Sequence, residues 1–565
     1  MITQLRESVR RWLSTESKKA VAAVAVAPVL PVLSGPPLVR PNLSQLARLD
    51  VQALPLYIRE SAAAMEYIAL LGGLDWEHFP QRQSDKKRPG PQPAPDAPVV
   101  AAFLVKLNKG LTSMAELRKE LVGQPALTWA LGFPLVPSAD YSYGFDVKKS
   151  LPSHRHLSRL LRKLPNAQMQ FLLKGTVQLL KAELPAALHF GDEISLDTKH
   201  IIAWVRENNP KEHIRGGRFH KEKQPKGDKD CKVGFKANEN HPFTPAATPA
   251  ATPAEQTSAA EQNGQGLAVA LPSPVTGTTT TTSAMETPTT QGLPASGSLP
   301  KPKDGDYYWG YASGVVATKV DDWCEVALAE MTQTFNHADE SYFYPLMAQT
   351  EVNLGQKPKF GALDGAYDTF YVHEYFTLAG GFAAVPWADR ADHKKTFSAE
   401  RLPHCAAGLV MPLKGKVQKK SHCLVPHEIG RYVCPLLFPE TTGEVCPIDH
   451  KNWQRTGNDK GCITTLPTSV GSFARHTLDR ESAAFKELYD QRTAVERVNS
   501  QAVALDIERP HLRNQCSISN QNTLIYVLIN LRALQRVKEK KAEKAKEQAK
   551  EQTMHEEKVQ MQRNC

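Results

Sequence analysis

Apolar residues recur at three- and four-residue spacing through "VVAAFLVKLNKGLTSMAELRKEL" (99–121), the pattern of amphipathic helices. Thr112 or Ser113 is placed to cap the second of them. "PSHRHLSRLLRKLPNAQMQFLLKGTVQLLKAEL" (152–184) repeats the design, with Ser153 as a cap and Pro165 opening a further helix. Beyond residue 190 the period shortens. "EISLDTKHIIAWV" (193–205) and "DYYWGYASGVVATKV" (306–320) read as strands. "DESYFYPLMAQTEVNLG" predicts a helix, "KFGALDGAY" a strand, "DTFYVHEYFTLAGG" a helix and "FAAVPW" a strand. Strands alternating with helices imply an α/β class with at least some parallel pairing.

Other stretches break the alternation. Residues 243–302, including "TPAATPAATPAEQ" and "TGTTTTTSAMETPTTQ", carry almost no large apolar side chains. They cannot bury enough surface to offset the entropy of ordering, so a disordered insertion is expected. Residues 395–465 read as an irregular, Cys-rich unit, and 481–535 return to helix. The tail "RVKEKKAEKAKEQAKEQ" alternates Lys and Glu at spacings that favour i,i+4 pairs, an exposed charged helix. "KKAVAAVAVAPVLPVL" (18–33) has lysines before an apolar run but is broken by Pro28 and Pro31, and reads as a flexible leader. The expected division is therefore a leader at 1–40, a helical region at 41–190, an α/β region at 191–535 with two insertions, and a tail at 536–565.

Bulk properties narrow the class. At 565 residues the chain exceeds one ordinary core, and two to four domains are expected. The formal net charge of +10 suits a polyanionic partner. No run of eighteen uninterrupted apolar residues occurs, so no membrane span is expected. Nine cysteines in so long a chain read as reduced thiols, or as metal ligands where they cluster. Cys405, Cys423, Cys434, Cys446 and Cys462 cluster, with His404, His422, His427 and His450 among them. The spacings are long and contain no CxxC pair. Cys405, Cys434, Cys446 and Cys462 are candidate ligands of a structural zinc ion; the alternative is a set of reduced thiols packed in a small β-rich insertion.

Asp197 in "ISLDTKH" and Asp364 in "FGALDGAYD" each follow an apolar strand pattern. A carboxylate at the C-terminal end of a strand projects into the crevice where α/β sheets bind ligands. Asp192 and Glu193 are rival acids before the first strand, and Asp368 is placed to cap the following helix. In "ELYDQRTAVERVNSQAV" (487–503), Tyr489, Arg492 and Glu496 fall at helical spacing. Two strand-borne aspartates and a helix-borne glutamate can together bind divalent cations for in-line attack on a phosphodiester. Mg²⁺, or Mn²⁺ in its place, suits such a set.

The ordered set "LDTKH", "LDGAYDTFYVHEYF" and "YDQRTAVERVNS" resembles the DDE transposases of bacterial insertion sequences. "GDKDCKVGFK" (227–236) and "YYWGYASG" (307–314) resemble the strand pair that follows the first aspartate there. The family signature is Tyr, two residues, Arg, three residues, Glu, six residues, Lys; here the lysine position holds Val503. The resemblance, over roughly 41–535 apart from the insertion, implies an RNase H-like mixed sheet flanked by helices, with a helical N-terminal region that binds DNA. It implies Asp197, Asp364 and Glu496 as catalytic Mg²⁺ ligands. It also implies DNA contacts by Tyr489 and Arg492; the charge of the 153–163 helix, with Arg155, Arg159, Arg162 and Lys163, makes it a candidate for phosphate contact. The basic segment 215–232 is a further candidate for phosphate contact. A homodimer or larger complex holding two element ends, in a bacterial cytoplasm at the nucleoid, follows from the same resemblance. Two readings stay open beside it: an inactive relative that only binds DNA, and a metal-dependent nuclease that cuts without joining.

Overall fold

The computed structural model describes residues 41–82, 95–209, 219–237, 305–388, 394–421, 423–448 and 461–563. The expected leader and the 243–302 insertion lie outside these residues, as do His422 and His450. Two units are distinguished, 1–234 with 308–565, and 235–307.

The helical region forms as its periodicity predicts. It contains α1 (Leu43–Arg48), α2 (Leu56–Arg59), α3 (Ala62–Leu71), α4 (Asp96–Asn108), α5 (Met114–Gly123) and α6 (Pro125–Ala130). These are followed by α7 (Val147–Ser150), α8 (His154–Lys163) and α9 (Asn166–Glu183). Ser113 caps α5 in a capping box with Glu116, and Ser153 caps α8 through the His156 amide.

The α/β region opens with β1 (Glu193–Ile202), β2 (Lys232–Ala237), β3 (Gly305–Val320) and β4 (Cys324–Thr334). Then come α10 (Phe343–Leu354), β5 (Phe360–Leu363), α11 (Phe370–Leu378) and β6 (Ala383–Ala384). The sheet runs β2-β3-β1-β5-β6, with β4 also paired to β3. β1 is antiparallel to β3 and parallel to β5, and β5 is parallel to β6. The result is a mixed sheet flanked by helices. A separate sheet β7-β8-β9 is formed by β7 (Leu413–Lys419), β8 (His427–Val433) and β9 (Ile463–Pro467), so the Cys-rich segment is β-rich. Helices α12 (Val470–Thr477), α13 (Ala483–Asp490), α14 (Thr493–Ala504) and α15 (Gln515–Arg563) complete the chain.

Two expectations about division change. The helical region is not a separate core: Leu71, Leu104 and Leu161 share one apolar cluster with Val315 and Ala327 of the sheet and Ile525 and Leu528 of α15. Nor does the tail begin a new element, because α15 runs unbroken from Gln515 to Arg563. Every residue from Gln521 to Leu531 is buried, which explains why Leu524 to Ile529 is apolar all round instead of on one stripe. Past Val537 the helix is mostly exposed and tethered by Lys541 to Glu183 at 3.2 Å.

Buried asparagines fasten α15 to the sheet at a fault in its ladder. The β3–β4 register shifts between Val316 and Ala317, whose partners are Ala329 and Ala327, so Leu328 is the extra residue of a bulge. Asn530 supplies what the ladder lacks: its Oδ1 accepts the Ala327 amide at 2.9 Å and its Nδ2 donates to the Ala327 carbonyl at 2.8 Å. Asn353 of α10 donates to the Leu328 carbonyl at 2.7 Å. Asn530→Ala leaves both Ala327 groups buried and unpaired. It is expected to lower unfolding free energy by about 2–3 kcal/mol, read by urea denaturation.

Candidate active site

The ladder between β1 and β5 assembles the first two acids. Its last pair is Leu196 with Leu363, so Asp197 and Asp364 follow side by side on neighbouring strands. Asp197 is not at the end of its own strand as expected; it is the fifth of ten residues in β1. What ends there is β5, and β1 continues antiparallel to β3 alone. Asp364 then turns the chain, its Oδ1 accepting the Ala366 amide at 2.9 Å. Asp192 bonds Lys359 at 2.8 Å and Gln356 at 3.0 Å near the start of β1, the work of a strand anchor.

Helix α14 packs on β1 through Asn499, whose Nδ2 donates to Asp197 Oδ2 at 3.1 Å. Tyr526 of α15 donates to Asn499 Oδ1 at 3.4 Å, so the amide is held from both ends. Glu496 lies one turn before Asn499 on the same helix and is exposed. Its Oε1 accepts from Arg492 Nη2 at 2.5 Å. Burial raises the pKa of both aspartates, and the charge of Arg492 reaches each and partly opposes that rise. Tyr489, Arg492 and Glu496 do not ride one helix: α13 ends at Asp490 and α14 starts at Thr493. Bonds from the Arg492 amide to the Tyr489 carbonyl and from the Ala494 amide to the Gln491 carbonyl, each 3.0 Å, tighten this turn to i+3 spacing. The three side chains stay together, with the Arg492 guanidinium 5.9 Å from the Tyr489 ring centre.

The electrostatics are those of crowded acids. Burial pushes Asp197 up to about 6, reinforced by the negative charge of Asp364 and opposed by the Thr198 amide. Burial also raises Asp364, and Asp339 is the next cause. Asp339 was not singled out in the sequence, where "HADESYF" reads as an ordinary helix start. It accepts from Thr198 Oγ1 at 2.7 Å, and its charge raises both other aspartates. Asn499 was missed as well, although its place three residues after Glu496 on an amphipathic helix is a signal that it faces inward. Tyr367 is 1% exposed; its hydroxyl has no hydrogen-bond partner among the described residues and feels the charges of Asp339, Asp364 and Asp197.

Among the described residues no three His, Cys, Asp or Glu side chains are arranged to hold a metal ion as they stand. The donor set nonetheless suits Mg²⁺, which takes one or two carboxylates and fills its shell with water and phosphate oxygens. Asp197 and Asp364 supply hard oxygens, raised in pKa by burial and by neighbouring acids, and the orphaned Tyr367 hydroxyl marks unmet polarity beside them. Both aspartates would hold the ion, with Glu496 at the rim.

Asp339→Asn keeps an acceptor for Thr198 while removing one repelling charge. It is expected to raise stability at pH 8 by about 0.5–1 kcal/mol and to leave it unchanged at pH 4, seen as a pH-dependent shift in thermal midpoint.

The other expected residues are placed apart from this group. Arg155, Arg159, Arg162 and Lys163 are exposed along α8, while Leu157, Leu160 and Leu161 are buried beneath them. In the basic segment, residues 215–218 lie outside the described part, and Asp228 does structural work, accepting the Tyr311 hydroxyl at 2.9 Å. A cleft of about 680 Å³, lined among others by Lys106, Trp204, Asp506, His511 and Arg532, opens elsewhere, and none of the three acids lines it. No helix among the described residues is long and apolar enough to cross a membrane.

Asp368 keeps a structural role but not the expected one. Thr369, not Asp368, occupies the N-cap position of α11. Asp368 instead accepts from Arg475 Nε at 2.9 Å and Nη2 at 2.7 Å, with Arg480 and His373 each at 3.4 Å.

Of the four expected zinc ligands, Cys405, Cys434 and Cys462 lie near one another, both other thiols acting on Cys462. Cys446 lies on the excursion between β8 and β9, of which residues 449–460 are outside the described part. The sequence matches no protein-family model and no curated protein.

Proposed function

We propose that this chain is a DDE transposase that cleaves DNA at insertion-sequence ends and joins the freed 3′-hydroxyl to target DNA. The observation that carries the reading is the side-by-side placement of Asp197 and Asp364 by the β1–β5 register, with the Glu496 helix docked on Asp197 through Asn499. The strand order supports an RNase H-like domain: an antiparallel β4-β3-β1 part continued by the parallel strands β5 and β6.

A divalent cation, when bound, supplies charge stabilisation at the phosphoryl oxygens and lowers the pKa of the attacking water or 3′-hydroxyl. Asp197 and Asp364 would hold it, and Asn499 fixes the Asp197 carboxylate. Arg492 presents a fork that matches a phosphate bidentately, and a DNA phosphate competes with Glu496 for it. The exposed cations of α8 neutralise backbone phosphates without reading sequence. Two element ends must be held at once, so the active species is at least a dimer, working at the nucleoid.

Val503, 39% exposed where the family signature has lysine, favours a second reading, an inactive relative that only binds DNA. Purified protein, Mg²⁺ and a labelled element end with target DNA separate the possibilities. Cleavage with joined product supports the transposase; cleavage alone supports a nuclease; binding without cleavage supports the inactive relative.

A further inference from the structure

The β7-β8-β9 sheet has little core of its own. β7 is exposed throughout and β9 alternates between exposed and half-buried, so few apolar side chains hold the three strands together. Small β units without a core depend on a covalent or metal staple.

Three thiols converge where such a staple is needed. The β8–β9 ladder ends at Val433 opposite Ile463, and continuing that antiparallel register sets Cys434 opposite Cys462. Gly461 confirms the closeness, since a Cβ there would lie 3.0 Å from Cys434 Sγ. Cys405 arrives on a third segment, which is joined to the same place by the Val433 amide donating to Pro412 at 3.1 Å and the Met411 amide donating to Pro403 at 2.9 Å. Cys405 and Cys434 both open tight turns: the Cys405 carbonyl accepts the Gly408 amide at 2.9 Å, and the Cys434 carbonyl accepts the Leu437 amide at 3.3 Å. Gly408 has φ +78°, the left-handed conformation that lets so short a turn close. All three cysteines are free thiols and Cys434 is buried, and both other thiols lie close enough to Cys462 to act on its charge.

We infer that Cys405, Cys434 and Cys462, which do not enclose an ion as they stand, draw together on one structural zinc ion that staples the β7-β8-β9 unit, independently of the acidic site. Soft sulfur donors select Zn²⁺ over the hard cations suited to Asp197 and Asp364. Binding exchanges the three thiol protons, released to solvent, for three zinc–thiolate bonds, with no change of oxidation state. A fourth ligand from outside these three closes the tetrahedron.

The test is the zinc content of the full chain purified under reducing conditions without chelator. About one zinc per chain is expected, falling below about a tenth in Cys434→Ser and Cys462→Ser and unchanged in Cys423→Ser. Where a variant loses its fold, cobalt substitution of the native chain still decides. Thiolate-to-cobalt absorption in the near ultraviolet supports the site, and its absence overturns it. Native protein with less than about a tenth of a zinc, equal loss in Cys423→Ser, or a Cys434–Cys462 disulfide in the untreated chain would each overturn it.

Discussion

Asp197→Asn and Asp364→Asn are each expected to slow DNA cleavage by at least about a thousandfold while leaving end binding intact. The same substitutions are expected to make the folded protein more stable at neutral pH. Asp197 is pushed up to about 6, so the folded state binds more protons than the unfolded chain between the ordinary aspartate pKa and that value. Stability from this group therefore falls as pH rises through about 4 to 6, and above that window the native protein carries the full cost of an ionised, desolvated carboxylate. Asparagine removes that cost and still accepts the Asn499 amide. The expected gain at pH 8 is on the order of 2 kcal/mol, vanishing near pH 4, measured by denaturation at the two pH values. Added Mg²⁺ should narrow the difference by stabilising the native protein alone. A variant that loses cleavage together with stability at pH 8 would indicate damage to the fold instead of loss of a ligand.

The second large effect is expected at Asp368. Its carboxylate is fully buried between Arg475, Arg480 and His373. Burial alone would raise its pKa, but the bonds from Arg475 and His373 outweigh burial and hold it well below the ordinary carboxylate range. Asp368→Ala strands two guanidinium groups. Arg480 is the more costly, being largely buried under Trp387 with its guanidinium 3.6 Å from the ring centre. Removing one partner of a buried ionic cluster typically costs about 3–5 kcal/mol, and a loss of that size is expected in chemical denaturation. The sign with pH is opposite to that of Asp197. The depressed pKa gives stability that is present above the ordinary carboxylate value and is lost as pH falls below it, so native protein should lose this contribution in acid and Asp368→Ala should not. The loss also reaches the site, because Asp368 stands four residues after Asp364, and its ion pairs pin that turn against α12. There Gly471 approaches so closely that a Cβ would lie 2.1 Å from the Phe370 carbonyl oxygen.

What the sequence revealed follows from which interactions are local. β1, α10, α11 and the N-terminal helices show in the spacing of their apolar residues, because each buries one face. β4 went unrecognised since "CEVALAEMTQT" has Glu330 near its centre, which looks like a surface position. That carboxylate is in fact fully buried and satisfied by hydroxyls of Ser313 at 3.0 Å, Thr332 at 2.6 Å and Thr523 at 2.6 Å, two of them distant in sequence. Asp197 and Asp364 were legible because each ends an apolar pattern. Asp339 was not, because only the folded sheet brings the start of α10 to Thr198. The break at 491–492 was hidden for a similar reason: both halves share helical spacing, and no Gly or Pro marks the tightened turn.

The central claim is that acids from β1, β5 and α14 form one catalytic set, and Glu496 is its most exposed member, ion-paired with Arg492 at the rim. Cleavage of a labelled element end by Glu496→Gln, compared with native protein and Asp339→Asn in Mg²⁺, tests it most directly. The expected result is loss of cleavage in Glu496→Gln as complete as in Asp197→Asn, with Asp339→Asn still active. Near-native cleavage by Glu496→Gln with no cleavage by Asp339→Asn would contradict the claim and move the third acid from α14 to the residue that bonds Thr198.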